Sequence, residues 1–351
     1  MKSILQADFE RILAEYDFPE LRGKSIFITG STGLIGSQLL RFLDYLNQKS
    51  GYGMKLYGLA RDKEKVVKVF GNELADDSIR FVYGDVLTLP QIEAKIDYII
   101  HGASVTASKQ FIDKGVETID IAVNGTLNLL RFAHEKKVHS FVYISSMEVF
   151  GVTVGRDVVY EEDLGYIDIS NPRSSYMESK RMCENLCVCF AHEYGLDVKS
   201  IRLTQTLGAG IDYNDTRVAA YFARSVIEGT DIVLKTEGKT KRPILYSSDA
   251  ISAILSVLLK GKSANSYTAA NPETFATIKE TAEMVAGTIA GGKIRVDFDI
   301  DVSVEYAPNL NLNLNVDKLC SLGWRPVVGL EEAYRRMIAG MESEKYGKVF
   351  S

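Results

Sequence analysis

The sequence has few of the residues that build disulfide frameworks or metal centres. Its 351 residues include only four cysteines, four histidines, seven prolines and one tryptophan. Cys183, Cys187 and Cys189 lie close together, but Cys189 does not share the helix face of the other two, as the ligands of one metal ion would. A chain of this length folds without disulfide bonds. We therefore predict reduced thiols, buried as small apolar groups, and no metal site.

Long apolar runs and an excess of positive charge are also absent. The apolar stretches are strand-sized, and no charged-then-apolar segment precedes the first predicted strand, so we expect neither a membrane span nor a secretory signal. The net charge is −5 at pH 7, which gives no basis for nucleic-acid binding. These absences predict a cytoplasmic globular protein that recognises phosphate through local groups.

What the sequence does contain is a regular alternation of apolar strands and amphipathic helices. Predicted strands cover residues 25–29, 54–60, 79–83, 96–100 and 141–145, and helical patterns lie between them. This alternation predicts an α/β fold with a doubly wound parallel sheet of the Rossmann type. Ligands bind such sheets outside the carboxyl ends of the strands.

The first strand leads into a glycine-rich turn, Gly30-Ser31-Thr32-Gly33-Leu34-Ile35-Gly36. Glycine permits the sharp turn and the close approach of the backbone to a pyrophosphate, and the N–H groups that open the following helix face the phosphates. We therefore predict that this turn binds a dinucleotide. An ordinary strand-to-helix loop is the alternative, because glycines at this spacing also occur there.

Residues at the ends of the next strands extend the predicted cofactor site. Arg61 follows the second strand where NAD-binding proteins carry an acid, and an arginine there suits the 2′-phosphate of NADP. Asp62 can still reach a ribose, and a solvated arginine is the alternative. Asp85 and Val86 follow the third strand, where an acid can accept from an adenine amine or act as a turn residue. Small residues after the fourth strand, including Ala103, leave room for the cofactor.

Tyr176 and Lys180 lie four residues apart on a helix that we predict to begin near Pro172, so they share one face. An ammonium group beside a phenol favours the phenolate, which predicts a tyrosine that exchanges a proton near neutral pH. A surface tyrosine with a solvated lysine is the alternative for the pair in isolation.

Together these motifs resemble the extended short-chain dehydrogenase/reductases, in the NAD(P)-dependent epimerase/dehydratase group that acts on nucleotide sugars. The resemblance covers nearly the whole chain. Besides the glycine turn it includes Gly84-Asp85-Val86, His101 to Ser104, Val123 to Leu130, Ser145 to Gly151, Tyr176 to Lys180, Arg202 to Gly208 and Arg242 to Asp249. The segments around Arg173 and Arg217 look most like those of UDP-glucuronate decarboxylases.

The resemblance implies a catalytic role for four residues. Tyr176 matches the base that takes the proton of the sugar 4-hydroxyl, and Ser146 matches the hydroxyl that hydrogen-bonds O4. Lys180 matches the residue that holds the nicotinamide ribose and lowers the tyrosine pKa. Hydride passes from C4 to tightly bound NAD or NADP, which makes C5 acidic. Glu148 matches a glutamate that stands beside C5 in dehydratases and decarboxylases, whereas the 4-epimerases compared carry no acid there.

The implied substrate is a nucleotide-diphosphate sugar. The residues expected to bind it are Ser146, Glu148, Gln205, Arg217 and Arg242, and Arg242 is also a candidate proton donor at C5. Decarboxylase or dehydratase chemistry is the leading prediction. A 4-epimerase is the first alternative, and a non-catalytic NAD(P)-sensing binding protein is the second.

Several residues depart from the family pattern or allow another interpretation. Met147 stands where dehydratases have an aspartic acid and decarboxylases a serine, and its thioether cannot protonate a leaving hydroxyl. Ala122 replaces a usual asparagine, and Gln205 replaces the asparagine that commonly touches the substrate diphosphate. Glu148 has a structural alternative, in which its carboxylate bonds backbone N–H groups of the turn before Gly151.

The domain prediction has three parts. Residues 1–22 form an N-terminal helical extension, residues 23–204 with about 242–262 form the Rossmann domain, and residues 205–241 with 263–351 form a smaller substrate-binding domain. We also expect a homodimer, since family members pair through the helix that carries Tyr176 and the one that ends near Lys136.

Overall fold

The computed structural model describes residues 3–71, 78–300 and 310–346, so small parts of the predicted 1–22, 23–204 and 263–351 segments lie outside it. The strands are β1 (Ser25–Thr29), β2 (Lys55–Ala60), β3 (Ile79–Tyr83), β4 (Tyr98–His101), β5 (Ser140–Ser146), β6 (Val198–Leu203), β7 (Gln205–Leu207), β8 (Ile232–Leu234), β9 (Lys241–Arg242), β10 (Ile244–Tyr246), β11 (Ser266–Ala269), β12 (Ala276–Thr277) and β13 (Val296–Phe298). The α-helices are α1 (Ile4–Glu15), α2 (Leu34–Ser50), α3 (Lys63–Phe70), α4 (Ser108–Asp113), α5 (Gly115–Lys136), α6 (Ser174–Tyr194), α7 (Val218–Glu228), α8 (Ser247–Lys260), α9 (Ile278–Met284), α10 (Asp317–Cys320) and α11 (Leu330–Lys345).

Seven strands form one parallel sheet in the order β11-β6-β5-β4-β1-β2-β3. Every residue of β1 is buried, as expected for a strand covered on both faces. The strand order reverses between β1 and β4, which places a ligand crevice at the carboxyl ends of these two strands. This sheet confirms the predicted doubly wound α/β fold.

Helices cover both faces of the sheet with separate apolar cores. On one face α8 packs beside α2, and the predicted N-terminal helix is present as α1, whose Phe9 ring meets the Phe42 ring of α2 at 5.6 Å between centroids. On the other face α5 and α6 lie side by side, and their buried residues include Leu129 and Cys183. Both cores exclude water from the sheet, so its polar groups are accessible mainly at the strand ends.

A third apolar core belongs to the smaller part of the molecule. It joins α7, α11 and the short pair β8/β13 around residues such as Phe222 and Met337. The predicted domain boundary differs from the structure here, because β11 pairs with β6 at the edge of the large sheet. Trp324 also packs on the large core, and its indole N–H donates to the Asp249 carbonyl at 3.1 Å. Strand β11 and Trp324 therefore place part of the 263–351 segment with the large sheet.

All four cysteines are free thiols, in agreement with the prediction, and Cys183 and Cys187 are buried. Within residues 3–71, 78–300 and 310–346, no cluster of three or more His, Cys, Asp or Glu side chains has the placement needed for a metal ion. The helices in these ranges also include none with the length and apolar character of a membrane span.

Candidate active site

The glycine turn closes against the end of β4. A Cβ at Gly30, whose φ is +71°, would lie 2.7 Å from the carbonyl carbon of Gly102, and a Cβ at Gly36 would lie 2.3 Å from the Gly30 oxygen. Helix α2 follows directly and has no side-chain cap, so its first N–H groups remain available to an anion. The turn therefore has the shape and the donors that the diphosphate of a dinucleotide requires.

Side chains of the turn hold the backbone in place. The Ser31 hydroxyl is buried and donates to the Leu59 carbonyl at 2.7 Å, so only the backbone of Ser31 is free for a cofactor. The Thr29 hydroxyl accepts from the Ala103 N–H at 3.2 Å and meets His101 Nδ1 at 2.7 Å. These contacts fix the turn, β1 and the segment after β4 as one unit.

The ends of β2 and β3 carry the predicted cofactor residues Arg61 and Asp85, which the structure brings together. Arg61 Nη1 lies 3.6 Å from Asp85 Oδ2, and the Arg61 side chain is 71% exposed. The other oxygen of Asp85 accepts from Leu87 N–H, as in the turn alternative. The Asp62 carboxylate caps α3 by accepting from two backbone N–H groups, so it is occupied, whereas the Arg61 guanidinium is exposed and has, in the described part of the chain, only the pair with Asp85 at 3.6 Å.

Val86 has a packing role in this structure. Its side chain is 5% exposed and lies against α5, where a Cβ at Gly125 would come within 2.7 Å of Val86 Cγ2. The Val86 carbonyl accepts from the Asn128 amide at 3.1 Å. A contact between Val86 and a cofactor would therefore have to come from its backbone.

Tyr176, Lys180, Ser146 and Glu148 meet where the end of β5 faces the first turns of α6. The Tyr176 ring stacks on Phe111, with centroids 4.3 Å apart and planes 9° apart. Lys180 is 4% exposed, which excludes the alternative of a solvated lysine. The predicted helix spacing thus places the pair on one face that points into the molecule.

The ammonium group of Lys180 is directed at the strand. Its Nζ donates to the Ile144 carbonyl at 2.8 Å and lies 5.7 Å from the Tyr176 ring centroid. Burial lowers the pKa of Lys180 to about 8. Burial also raises the pKa of Tyr176 to about 12, with the Ser146 hydrogen bond acting in the opposite direction and the charge of Glu148 adding to the rise. The predicted lowering of the tyrosine pKa by Lys180 is therefore not seen, because desolvation dominates and the ammonium donates elsewhere.

A buried polar chain lies beneath this pair. His101 Nε2 meets the Thr126 hydroxyl at 3.1 Å, and the Thr126 hydroxyl donates to Cys183 Sγ at 3.3 Å. Cys183 in turn donates to the Ala122 carbonyl at 3.2 Å. Burial, aided by the charge of Lys180, lowers the pKa of His101 to about 3, so the imidazole is neutral. Sequence reasoning quoted His101 only as part of a motif and did not find this chain, which links β4, α5 and α6.

Glu148 faces two arginines. Its carboxylate lies 3.9 Å from Arg173 Nη2 and raises the pKa of Arg242, which burial lowers. The Glu148 backbone N–H donates to the Ser146 hydroxyl at 3.2 Å. Within the described ranges the carboxylate accepts no backbone hydrogen bond, so the structural alternative for Glu148 is not what the structure shows. The carboxylate is free to act on a ligand.

Arg242 of β9 and Gln205 of β7 line a small cavity of about 30 Å³, whose other residues include Val218 and Phe222 of α7. Tyr334 of α11 lines it as well, and sequence reasoning missed this residue because no motif marks its distant helix. Arg217 directly precedes Val218, which lines the same cavity. Its guanidinium forms a bidentate pair with Asp215, with Nη2 2.6 Å from Oδ2. That Arg217 binds substrate stays a prediction.

Two further residues near the site have structural roles. Met147 is 4% exposed and packs into the large core, so it presents no group to a ligand. Glu184, one turn after Lys180, pairs with buried Arg202 at 2.7 Å and accepts from the Ser145 hydroxyl at 2.5 Å. This ion pair anchors α6 to the ends of β5 and β6.

The parallel sheet, its glycine turn and the Tyr-Lys helix define a dinucleotide-binding protein of the Rossmann type. The sequence profile of the NAD dependent epimerase/dehydratase family matches residues 26–271. The chain therefore belongs to this family, which confirms both the predicted resemblance and the predicted class of enzyme.

Named relatives and solved structures agree with this assignment. UDP-glucuronic acid decarboxylase 1 of Danio rerio is 27% identical over 318 residues, which is 90% of this chain and 72% of that protein. The NAD-bound dTDP-glucose 4,6-dehydratase DesIV of Streptomyces venezuelae superposes with a TM-score of 0.76 at 21% identity, covering 92% of this chain and 98% of the other. UDP-glucose 4-epimerase of Thermotoga maritima gives a TM-score of 0.75 at 19% identity, covering 92% and 99%. The two structural matches support the fold.

Proposed function

We propose that this protein oxidises C4 of a nucleotide-diphosphate sugar and then acts at C5, with decarboxylation as the leading reaction. The observation that carries the proposal is the meeting of Tyr176, Ser146 and Glu148 at the end of β5, with the glycine turn at the neighbouring strand ends. The relatives named UDP-glucuronic acid decarboxylase support the same reaction class.

The first step belongs to Tyr176. Its phenolate takes the proton of the sugar 4-hydroxyl while the Ser146 hydroxyl holds the oxygen. The Ser146 hydrogen bond favours the phenolate against the effect of burial, and Lys180 is the residue we assign to the nicotinamide ribose. A nicotinamide ring, when bound, would accept the hydride from C4. Stacking on Phe111 fixes the plane of the tyrosine during the transfer.

Glu148 supports the second step. Its carboxylate stands at the start of the turn after β5, two residues beyond Ser146, where it can orient the 4-keto sugar for loss of CO₂ and guide the proton that C5 then gains. Simple 4,6-dehydration needs an acid for the leaving hydroxyl, and Met147, at the position of that acid, is buried in the core. Decarboxylation needs no such acid and is therefore the reaction we propose first.

The family is described as NAD dependent, and we propose that this chain prefers NADP. The support is Arg61 at the end of β2, together with the use of the neighbouring Asp62 carboxylate as a helix cap. Fluorescence titration with NAD and NADP tests this preference. Arg61→Ser should weaken NADP binding about tenfold and leave NAD binding unchanged. Equal losses for the two cofactors would contradict the proposal.

The reaction is tested by incubating the purified protein with UDP-glucuronate and other nucleotide sugars, followed by mass spectrometry. Loss of CO₂ supports a decarboxylase, loss of water supports a dehydratase, and an isobaric product supports the 4-epimerase alternative. Tyr176→Phe should lower turnover by at least about 100-fold, because proton transfer contributes that much. If Tyr176→Phe retained every cellular role, the NAD(P)-sensing alternative would be supported instead.

We further propose a homodimer formed through α5 and α6. A groove of about 450 Å³ lies between these helices, lined in part by Leu127, Leu186 and Tyr194. Met182 of α6 is 50% exposed, which adds apolar surface to this side. Light scattering across working concentrations tests the proposal, and a monomer throughout would refute it.

A further inference from the structure

We propose that the N-terminal helix α1 positions helix α11 for substrate binding, and that Asp8 is the positioning residue. The proposal rests on the proposed function only for the identity of the ligand. It assigns a role in substrate binding to a residue that acts through two others, Arg336 of α11 and Tyr246 of β10.

Asp8 is an acid on the apolar face of α1. The other buried residues of that face, Leu5, Phe9 and Ile12, pack in the large core with α2. Asp8 is 1% exposed, and burial raises the pKa of its carboxyl group. A buried carboxylate costs free energy unless partners satisfy its oxygens. The contacts of Asp8 therefore show what this position does beyond packing.

The two oxygens of Asp8 contact two different elements. Oδ1 pairs with Nη1 of Arg336 in α11, and Oδ2 accepts from the Tyr246 hydroxyl in β10 at 2.8 Å. Tyr246 is fully buried, and the Arg336 side chain is 15% exposed. The guanidinium carbon of Arg336 lies 5.8 Å from the Tyr246 ring centroid, so the three side chains form one cluster.

A second contact of α1 holds the chain just before α11. Tyr16 follows the last residue of α1, and its hydroxyl accepts from the Arg325 N–H at 3.0 Å and donates to the Arg325 carbonyl at 3.1 Å. Arg325 precedes Leu330, the first residue of α11, by a short segment. Helix α1 therefore fixes α11 at one point within the helix and at another before its start.

Helix α11 lies between Asp8 and the cavity that Arg242 and Gln205 line. Tyr334 of α11 lines this cavity, and Arg336 stands two residues further along the same helix. Residues two apart on an α-helix point to nearly opposite sides, because each residue turns the helix by about 100°. A displacement of Arg336 therefore moves the phenol of Tyr334 on the opposite face.

Strand β10 links Asp8 to the same cavity. Ile244 lines the cavity and stands two residues before Tyr246, so both side chains lie on one face of the strand. Ile244 also pairs with Gln205 in the register of β10 and β7. The cavity measures about 30 Å³, so it has little space to absorb a shift of its walls. Asp8 therefore holds two of these walls in place.

Asp8→Asn separates this role from simple packing. Asparagine keeps the shape and can still accept from Tyr246, but it removes the charge that pairs with Arg336. Phe9 still packs on Phe42 of α2, so cofactor binding at the glycine turn should not change. We expect the variant to loosen α11 and to weaken substrate binding selectively.

Hydrogen–deuterium exchange, read by mass spectrometry of peptides, tests the link to α11 without any ligand. Asp8→Asn should raise the exchange rate of the α11 amides about tenfold and leave the peptides of β1 and α2 unchanged. Tyr16→Phe, at a half-buried position, should raise it to a smaller extent. Asp17→Asn is the matched control, because Asp17 also accepts from a tyrosine hydroxyl, that of Tyr52 at 2.7 Å, but not from α11.

Turnover of UDP-glucuronate tests the link to the substrate. Asp8→Asn should raise KM about tenfold, change kcat by less than about twofold and leave the Kd of the cofactor unchanged. Arg336→Gln should raise KM similarly, and the double variant should add little, because the two side chains act as one contact. A purely structural role would lower the melting temperature of the variants without this selective rise in KM.

Three results bear on the proposal in different ways. An unchanged exchange rate in α11 of folded Asp8→Asn protein would overturn it, whatever the substrate is. Faster exchange with an unchanged KM would overturn it as well, because α1 would then only stabilise the fold. If the parent protein turned over no nucleotide sugar, the proposed function would fail, and the exchange rates would still decide whether α1 positions α11.

Discussion

Replacing Lys180 by methionine should stabilise the folded protein in the absence of cofactor while abolishing its activity. The side chain is 4% exposed, and burial lowers its pKa from 10.5 to about 8. Each pKa unit corresponds to about 1.4 kcal/mol, so keeping this ammonium charged at pH 7 costs the folded state about 3 kcal/mol. Methionine has a similar length and carries no charge to desolvate.

Part of this gain is lost with the contacts of the ammonium. Lys180 donates to the Ile144 carbonyl at 2.8 Å and lies 4.7 Å from the Tyr143 ring centroid. Losing the hydrogen bond costs about 1 to 2 kcal/mol, so we expect Lys180→Met to raise the free energy of unfolding at pH 7 by about 1 to 2 kcal/mol. Urea denaturation followed by circular dichroism measures this difference.

The pH dependence gives a sharper test of the same reasoning. Because the pKa of Lys180 is lower in the folded protein than in the unfolded chain, its charge lowers the free energy of unfolding at neutral pH. This cost disappears as the pH rises from about 8 towards 10.5, since the folded-state group loses its proton first. Between pH 7 and 9.5 the advantage of Lys180→Met should fall by about 2 kcal/mol. The matched control is Lys55→Met, at an exposed position at the start of β2. A destabilised Lys180→Met protein, or a difference that does not change with pH, would refute the reasoning.

Three further outcomes follow from the structure. Glu148→Gln should leave C4 oxidation intact and stop the loss of CO₂. Reduced cofactor, measured by its absorbance at 340 nm, should therefore accumulate to about tenfold the level in the parent enzyme. A variant that still releases CO₂ at the parental rate would contradict the role of Glu148. Gly36→Ala should lower the free energy of unfolding by at least about 2 kcal/mol, because the added Cβ would overlap the Gly30 backbone. At Gly33 an added Cβ would lie 3.3 Å from the Gly30 oxygen, so Gly33→Ala should change this free energy by less than about 1 kcal/mol and mainly weaken cofactor binding. Asp249 is buried, which raises its pKa to about 6, so its protonation adds stability as the pH falls from 7 to 4. The stability of Asp249→Asn relative to the parent protein should therefore drop by about 2 kcal/mol over that range, and an unchanged difference in urea denaturation would contradict this.

Local spacing in the sequence was sufficient for the architecture and for part of the site. The glycine turn and the shared helix face of Tyr176 and Lys180 follow from backbone geometry over a few residues. The alternation of strands and helices along the chain predicts the parallel sheet, although its strands pair over long sequence separations. The edge position of β11 did not follow, because a short strand carries no mark of the partner with which it pairs.

Only the tertiary structure decided what several side chains contact. It pairs Arg217 with Asp215, directs the Lys180 ammonium at Ile144, and places Arg173 beside Glu148. It also brings Tyr334 of α11 to the cavity at Arg242 and Gln205.

The physical reason lies in the range of the interactions. Turns and helix faces depend on backbone geometry over a few residues, which composition and spacing reveal. Ion pairs, burial and the pKa values that they set depend on groups that folding brings together from distant segments. The sequence by itself therefore determined the fold and the cofactor turn, while the charge arrangement around Glu148 exists only in the folded chain.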